Sequence, residues 1–370
     1  MRKKVRPIHT AFIFLFSILY FCIKPYSSPK NPYNRMLGEE KKIGAELQLS
    51  IGSEKENELF YGPRSFTVDH EGYIYILDRR NSRIQCFSSE GQFCYSFGRY
   101  GQGPGELSQL ADRIKLLEDG NLYVIDRRRI TVFSKRGEYQ NSYKVNFYAD
   151  DIVLKNKTYY LSNLVLEEEF KPIHITDDLN KIVKSFGESF EPTPGIMKKI
   201  DSHPILMGIK YEFNHHRFTN IIVNSKEEVI YSQENPYRIV KYNKEGFKLK
   251  EVVGDVQFDT YFPLKIDLVE GGYDKKVVLP YSRTYGPILM EDDTFIVPVI
   301  IPDKSLVYLD VFNSECEQTS RFSMPNIFFD YKKEFGGIAS IYIDKDYNFY
   351  CLVIYEDDVP KLLKYKLIFK

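Results

Sequence analysis

The chain has no tryptophan, only six histidines and five cysteines, and no surplus of either charge, with 51 basic side chains against 51 acidic ones. The cysteines are scattered and never spaced C-x-x-C, which excludes a disulfide-stapled scaffold and a structural zinc site. No G-x-S-x-G, Walker A loop or H-E-x-x-H occurs, so three common hydrolase chemistries have no footing. What is present is a large apolar share, 43 % of 370 residues, with 29 Tyr and 27 Phe. That is enough to bury a sizeable core, and the richness in Tyr and Phe favours strands over helices.

The zero net charge hides an asymmetry. Seven basic residues and no acidic one fall in residues 1–38, leaving 44 basic against 51 acidic in the remainder. A mildly acidic body offers no electrostatic footprint for nucleic acid. The basic start (Arg2, Lys3, Lys4, Arg6) precedes an uncharged run at residues 11–23, short for a membrane span and suited to a signal peptide. Residues 1–23 are therefore expected to be a signal peptide or N-terminal anchor, and residues 24–42, with Pro25, Pro29 and Pro32, a tether. No A-x-A cleavage site is present. Leu19-Tyr20-Phe21-Cys22 resembles a bacterial lipobox, with Cys22 as the candidate lipid attachment, although Phe21 is bulkier than the usual small residue. An uncleaved anchor is the rival. Both readings place the protein at the cell envelope, associated with a membrane.

Residues 43–370 are expected to form one domain. Residues 66–98 hold four short runs of β-branched and aromatic residues separated by turns, and residues 113–145 repeat the pattern. Gly120 follows Gly72, and Asp126 follows Asp78, at the same spacing of 48 residues. Four antiparallel strands per repeat make a propeller blade. Weaker copies follow from residues 151, 220 and 287, and a sixth from 338 has only three strands before the chain stops. An open edge there would be a liability. Residues 45–52 resemble the outer strand at 93–98 and supply what is missing. The expected architecture is all-β: a six-bladed propeller of four-stranded antiparallel blades, closed by an N-terminal strand that completes the last blade. Leu47, Leu49 and Ile51, spaced by two, are expected on one face of that strand, packed on a neighbouring blade, with Glu46, Gln48 and Ser50 outward. A seventh blade would need residues 255–284, where only 276–279 are strand-like.

In the first repeat, Asp78, Asn81, Arg83, Ile84 and Phe87 stand as D-x-x-N-x-R-I-x-x-F. Phe97-Gly98 and Gly101-Gln102-Gly103-Pro104-Gly105 follow. This resembles an NHL repeat; the second repeat matches in part, lacking the Asn, and the others only in strand rhythm. The resemblance implies a six-bladed propeller. It also implies a range of roles, since family members serve as protein scaffolds, sensors, RNA binders and, in a few branches, metal-dependent lyases.

Loops between second and third strands share a face with the connections between blades. Arg79, Arg80 and Asn81 come there from the first blade and Arg127, Arg128 and Arg129 from the second, as candidate binding residues. Glu167, Glu168 and Glu169 come from the third blade, Glu356, Asp357 and Asp358 from the sixth, and the connections 188–217 and 255–284 lie there too. A basic arc beside acidic arcs reads as a docking surface for a protein or a small polar ligand. The other reading is solvated loops, with Asp78 and Arg83 bridged inside the blade. Among the histidines, His203, His215 and His216 cluster in one connection, but neighbouring residues of an extended chain point apart, so convergent metal ligands are not expected. No cofactor is predicted. The reading is a non-enzymatic binding module, exported and membrane-tethered; the alternative is a hydrolase or lyase with a divalent metal in the central channel. Cys86 and Cys94 flank the turn Ser89-Glu90-Gly91. A three-residue loop sets them opposite, within disulfide reach; two free thiols is the other outcome.

Overall fold

The repeats fold as their turn residues dictate. In the first blade Pro63–Val68, Ile74–Asp78, Arg83–Phe87 and Phe93–Phe97 pair in sequence order, all antiparallel. Asp69 closes the first hairpin: its carboxylate accepts the N–H groups of Glu71 (3.0 Å) and Tyr73 (2.9 Å). The Asx geometry is why Asp stands there. Blades two to four repeat the order from Arg113–Leu116, Asp151–Lys155 and Thr219–Val223. Blade five has a broken inner strand, Arg283–Thr284 and Ile288–Leu289, ahead of Phe295–Ile301, Leu306–Phe312 and Gln318–Pro325. Blade six holds Phe335–Ile343, Asn348–Tyr355 and Lys361–Phe369. The computed structural model describes residues 40–163, 171–188, 219–233, 237–254, 268–269, 272–273, 283–301, 306–325, 335–355 and 358–369. Cys22, the targeting segment, and the strand-like run at 276–279 lie outside the described residues.

Ring closure follows the expected route and adds a second contact. Lys41–Ile51 pairs antiparallel with Lys361–Phe369, making the fourth strand of blade six. Its first two residues also pair in parallel with the outer strand of blade five, Lys41 with Phe322 and Lys42 with Ser323. Blades five and six thus share one continuous sheet.

The expected single face of Leu47, Leu49 and Ile51 is not what forms. Leu47 pairs with Tyr365 and Leu49 with Lys364, so Gln48 is the extra residue of a bulge. Side chains alternate along the partner strand, so one inserted residue moves everything after it to the other face. Ile43 and Ala45 accordingly pack with Leu363, Tyr365 and Leu367 toward blade five. Leu49 and Ile51 pack with Phe66, Ile76 and Phe87 of blade one. Leu47, at the crossover, is 51 % exposed.

The core is divided among the seams. One apolar cluster fills the space between blades one and two, another between two and three, and so on to blades six and one. Each buried Leu, Ile or Phe there is worth about 1.5–3 kcal/mol. At the last seam, Gly91 (φ +81°) sits in the turn between third and fourth strands, where a Cβ would meet Leu49 Cδ1 at 2.6 Å. Gly137 faces Phe97 of the preceding blade in the same way. The N-terminal strand therefore docks on blade one as any outer strand docks on the next blade.

The Cys86–Cys94 turn also carries a bulge. Phe87 pairs with Phe93 and Cys86 with Tyr95, so Cys94 is skipped and the two cysteines are not opposite. Both are free thiols, Cys86 buried and Cys94 exposed.

Candidate functional site

The NHL-like residues serve the fold. Asp78 is fully buried, and its carboxylate accepts Tyr61 N (2.7 Å), Asn81 Nδ2 (2.7 Å) and Arg83 Nε (3.2 Å). The bridge to Arg83 thus forms, and Asn81 is turned inward to the same carboxylate. In blade two Asp126 takes the equivalent place, accepting from Ser108 N (3.0 Å) and from Arg129 Nη2 (2.7 Å). Arg129 stands where Arg83 stands in blade one. The second glycine of G-x-G-P-G is likewise structural: Gly103 N donates to Glu106 Oε2 at 2.8 Å.

The other arginines divide. Arg79 is drawn to the connection between blades, donating from Nη1 to Asp112 (2.8 Å) and from Nε to Gln109 O (2.7 Å). Arg80, Arg127 and Arg128 remain exposed. Arg80 lies over the ring of Tyr61 (5.3 Å), and Arg127 (5.8 Å) and Arg128 (4.7 Å) share the ring of Tyr148. Both tyrosines are themselves exposed, at 58 % and 53 %. The structure brings these three arginines to one kind of setting, a guanidinium spread on a solvent-facing aromatic plate. Of the acidic arcs, Asp358 is described and pairs with Lys361 (3.1 Å); Glu167, Glu168, Glu169, Glu356 and Asp357 lie outside the described residues, as do His203, His215 and His216. His174 is a packing residue, stacked on Phe147 at 4.1 Å.

A second polar assembly lines the central channel, formed by the inner strands of all six blades around a cavity of about 260 Å³. The exposed edge of an inner strand must be satisfied. Here the preceding blade does it with side chains. Ile114 N donates to Ser65 Oγ (3.3 Å), Leu116 N to Thr67 Oγ1 (3.3 Å) and Ile221 N to Asp151 Oδ2 (3.1 Å). Around them Lys115 Nζ reaches Asp151 Oδ1 at 2.8 Å and Arg64 Nε reaches Asp112 Oδ1 at 3.3 Å. Arg113 of blade two spans blade three to reach Asn220 Oδ1 of blade four at 3.0 Å. Sequence reasoning passed over this group. The available signal was a polar residue (Arg113, Asp151, Asn220) opening or nearly opening three successive inner strands ahead of apolar ones.

A family model described as a 6-bladed beta-propeller, DUF5128, matches residues 65–250. The chain belongs to the DUF5128 family. Among solved structures, this DUF5128 chain is similar to a member of the DUF4221 family from Bacteroides vulgatus. The identity is 9 %, the TM-score 0.54, and 90 % of this chain and 100 % of that one are covered. It is also similar to a Bacteroides fragilis protein named as a candidate exported protein (12 % identity, TM-score 0.51, 88 % and 95 % covered). Virginiamycin B lyase from Staphylococcus aureus aligns with 12 % identity and TM-score 0.48, covering 88 % and 100 %. No curated protein matches the chain. At these identities the structural likenesses speak for the fold alone. No helix among the described residues of this DUF5128 propeller is long and apolar enough to cross a membrane.

Proposed function

We propose that this propeller is an exported, membrane-tethered binding module that engages an acidic partner protein through its loop face, without chemistry of its own. The observation that carries the reading is the placement of Arg80, Arg127 and Arg128 on Tyr61 and Tyr148. Tyr and Arg are the residue types that dominate interface hot spots. Stacking restrains each guanidinium before a partner arrives, so less freedom is lost on binding. No described carboxylate forms an ion pair with any of the three, which leaves their charge available to a partner. The basic start and the uncharged run at residues 11–23 support export, in keeping with the name of the Bacteroides fragilis neighbour.

Anisotropy of a labelled polyglutamate peptide tests the reading. The protein should bind it in a salt-dependent way, and the triple change Arg80→Glu, Arg127→Glu, Arg128→Glu should abolish binding while circular dichroism stays unchanged. Binding that survives the triple change would remove the loop face from the mechanism.

A further inference from the structure

Three open apolar side chains lie together on blade six: Tyr347, Ile368 and Phe369, at 43 %, 42 % and 44 % exposure. The ring centroids of Tyr347 and Phe369 are 5.4 Å apart, and Phe369 meets Phe322 of blade five at 5.1 Å. Tyr347 closes the first hairpin of its blade in the left-handed region, at φ +57°. The same turn position holds Gly72, Gly120, Glu227 and Asp293 in blades one, two, four and five. A bulky side chain is disfavoured there, and one left nearly half open recovers little by packing. The turn itself does not call for a tyrosine.

The patch has a fixed place in the ring. Its hairpin follows a first strand, whereas the arginine loops follow second strands and so lie at the opposite end. The closing strand starts beside the patch: Ile43 pairs with Phe369, and Leu367 N donates to Tyr347 O at 3.4 Å. Residues 24–40 separate that start from the uncharged run at 11–23. Fully extended, they reach no more than about 60 Å. A membrane holding the run therefore meets this patch at high local concentration, where even a weak contact forms. Aromatic residues with lysines beside them are the side chains favoured at a lipid boundary. Lys41 and Lys42 are exposed and have no side-chain partner among the described residues. On residues 40–42, 344–347 and 366–369, four lysines stand against three carboxylates, close to balance, so the attraction is apolar.

We propose that Tyr347, Ile368 and Phe369 rest on the lipid surface and so turn the arginine loops away from the membrane. The contact rests on the tethered reading and goes beyond it by naming the side that meets the bilayer. The chain has no tryptophan, so an introduced one is the sole indole. Full-length Phe369→Trp, Tyr347→Trp and, on the loop face, Tyr61→Trp would be reconstituted with phosphatidylcholine vesicles, with and without bromine on the acyl chains. The first two should lose at least half their emission to bromine, in low and in high salt alike, and Tyr61→Trp should keep its own. Flotation of the same vesicles reads the tether separately. A chain that does not float overturns tether and contact together. A chain that floats with both patch reporters unquenched keeps the tether and overturns the contact, as when a second copy or another protein covers the patch. Equal quenching at Tyr61→Trp, or quenching lost in high salt, overturns it too. If one patch reporter fails to fold, the other decides.

Discussion

Leu47 and Leu49 stand two positions apart in one strand, yet they lie on opposite faces of the sheet, because Gln48 is bulged out between them. The consequence is unequal cost. Ile51, 1 % exposed among Phe60, Phe66 and Leu362, should lose about 2–4 kcal/mol on Ile51→Ala. Leu47→Ala should stay within about 0.5 kcal/mol. Urea melts of the two variants check this; equal losses would mean the strand has no bulge.

The Asp78 carboxylate gathers Tyr61, Asn81 and Arg83 in the interior of blade one. Asp78→Ala should cost about 3–5 kcal/mol, since it leaves Arg83 without its bridge and two polar groups without an acceptor. Asp78→Asn, which keeps the shape and one carbonyl oxygen, should fall between that variant and the wild type. Thermal melting of both ranks them.

Thiol reactivity should separate the cysteines. Burial pushes the Cys86 thiol up to about 11 and the Cys316 thiol up to about 12, while Cys94 is exposed. The thiolate is the reactive form. Of the four described cysteines, Cys94 should be labelled by iodoacetamide in the native protein at neutral pH, with Cys86, Cys316 and Cys351 labelled after denaturation. Peptide mass mapping reads the order directly.

Burial lowers the His174 pKa to about 4. Its neighbours suit the neutral ring: Nε2 donates to Asn163 Oδ1 (2.9 Å) and Nδ1 accepts from Ser185 Oγ (2.8 Å). The unfolded chain takes up the proton near 6.5 and the folded one does not until about 4. Stability should therefore be undiminished by His174 above pH 6.5, fall as the pH drops toward 4, and level off below. Melting curves of the wild type and His174→Gln across this window should diverge with pH; parallel curves would count against the buried neutral ring.

The blades were legible because their signals are local. Asp69 and Gly72 close one hairpin, and the second copy lies at a fixed spacing. The closing strand was legible because residues 45–52 look like an outer strand and the last repeat lacks one. The bulges at Gln48 and Cys94 were not, since a period of two is read straight through an inserted residue unless the partner strand is known. The loop arginines could be named, but not sorted. Arg79 and Arg129 find carboxylates, Asp112 33 positions of chain away in the next blade and Asp126 close by, whereas Arg80 and Arg128 find tyrosines. The channel group was illegible because Arg113 meets Asn220 only once the ring exists.

The closing strand Lys41–Ile51 is joined by backbone on both sides, parallel to blade five and antiparallel to the third strand of blade six. Mechanically, the strand makes a lap joint. A pull on the chain ahead of Lys41, directed along the strand, loads the register pairs from Ile43 with Phe369 to Ile51 with Leu362 together, in shear, rather than opening them one at a time. The other seams carry no such splice among the described strands. A ring strained to failure should part elsewhere, between blades held only by side chains, before it parts at the closing strand.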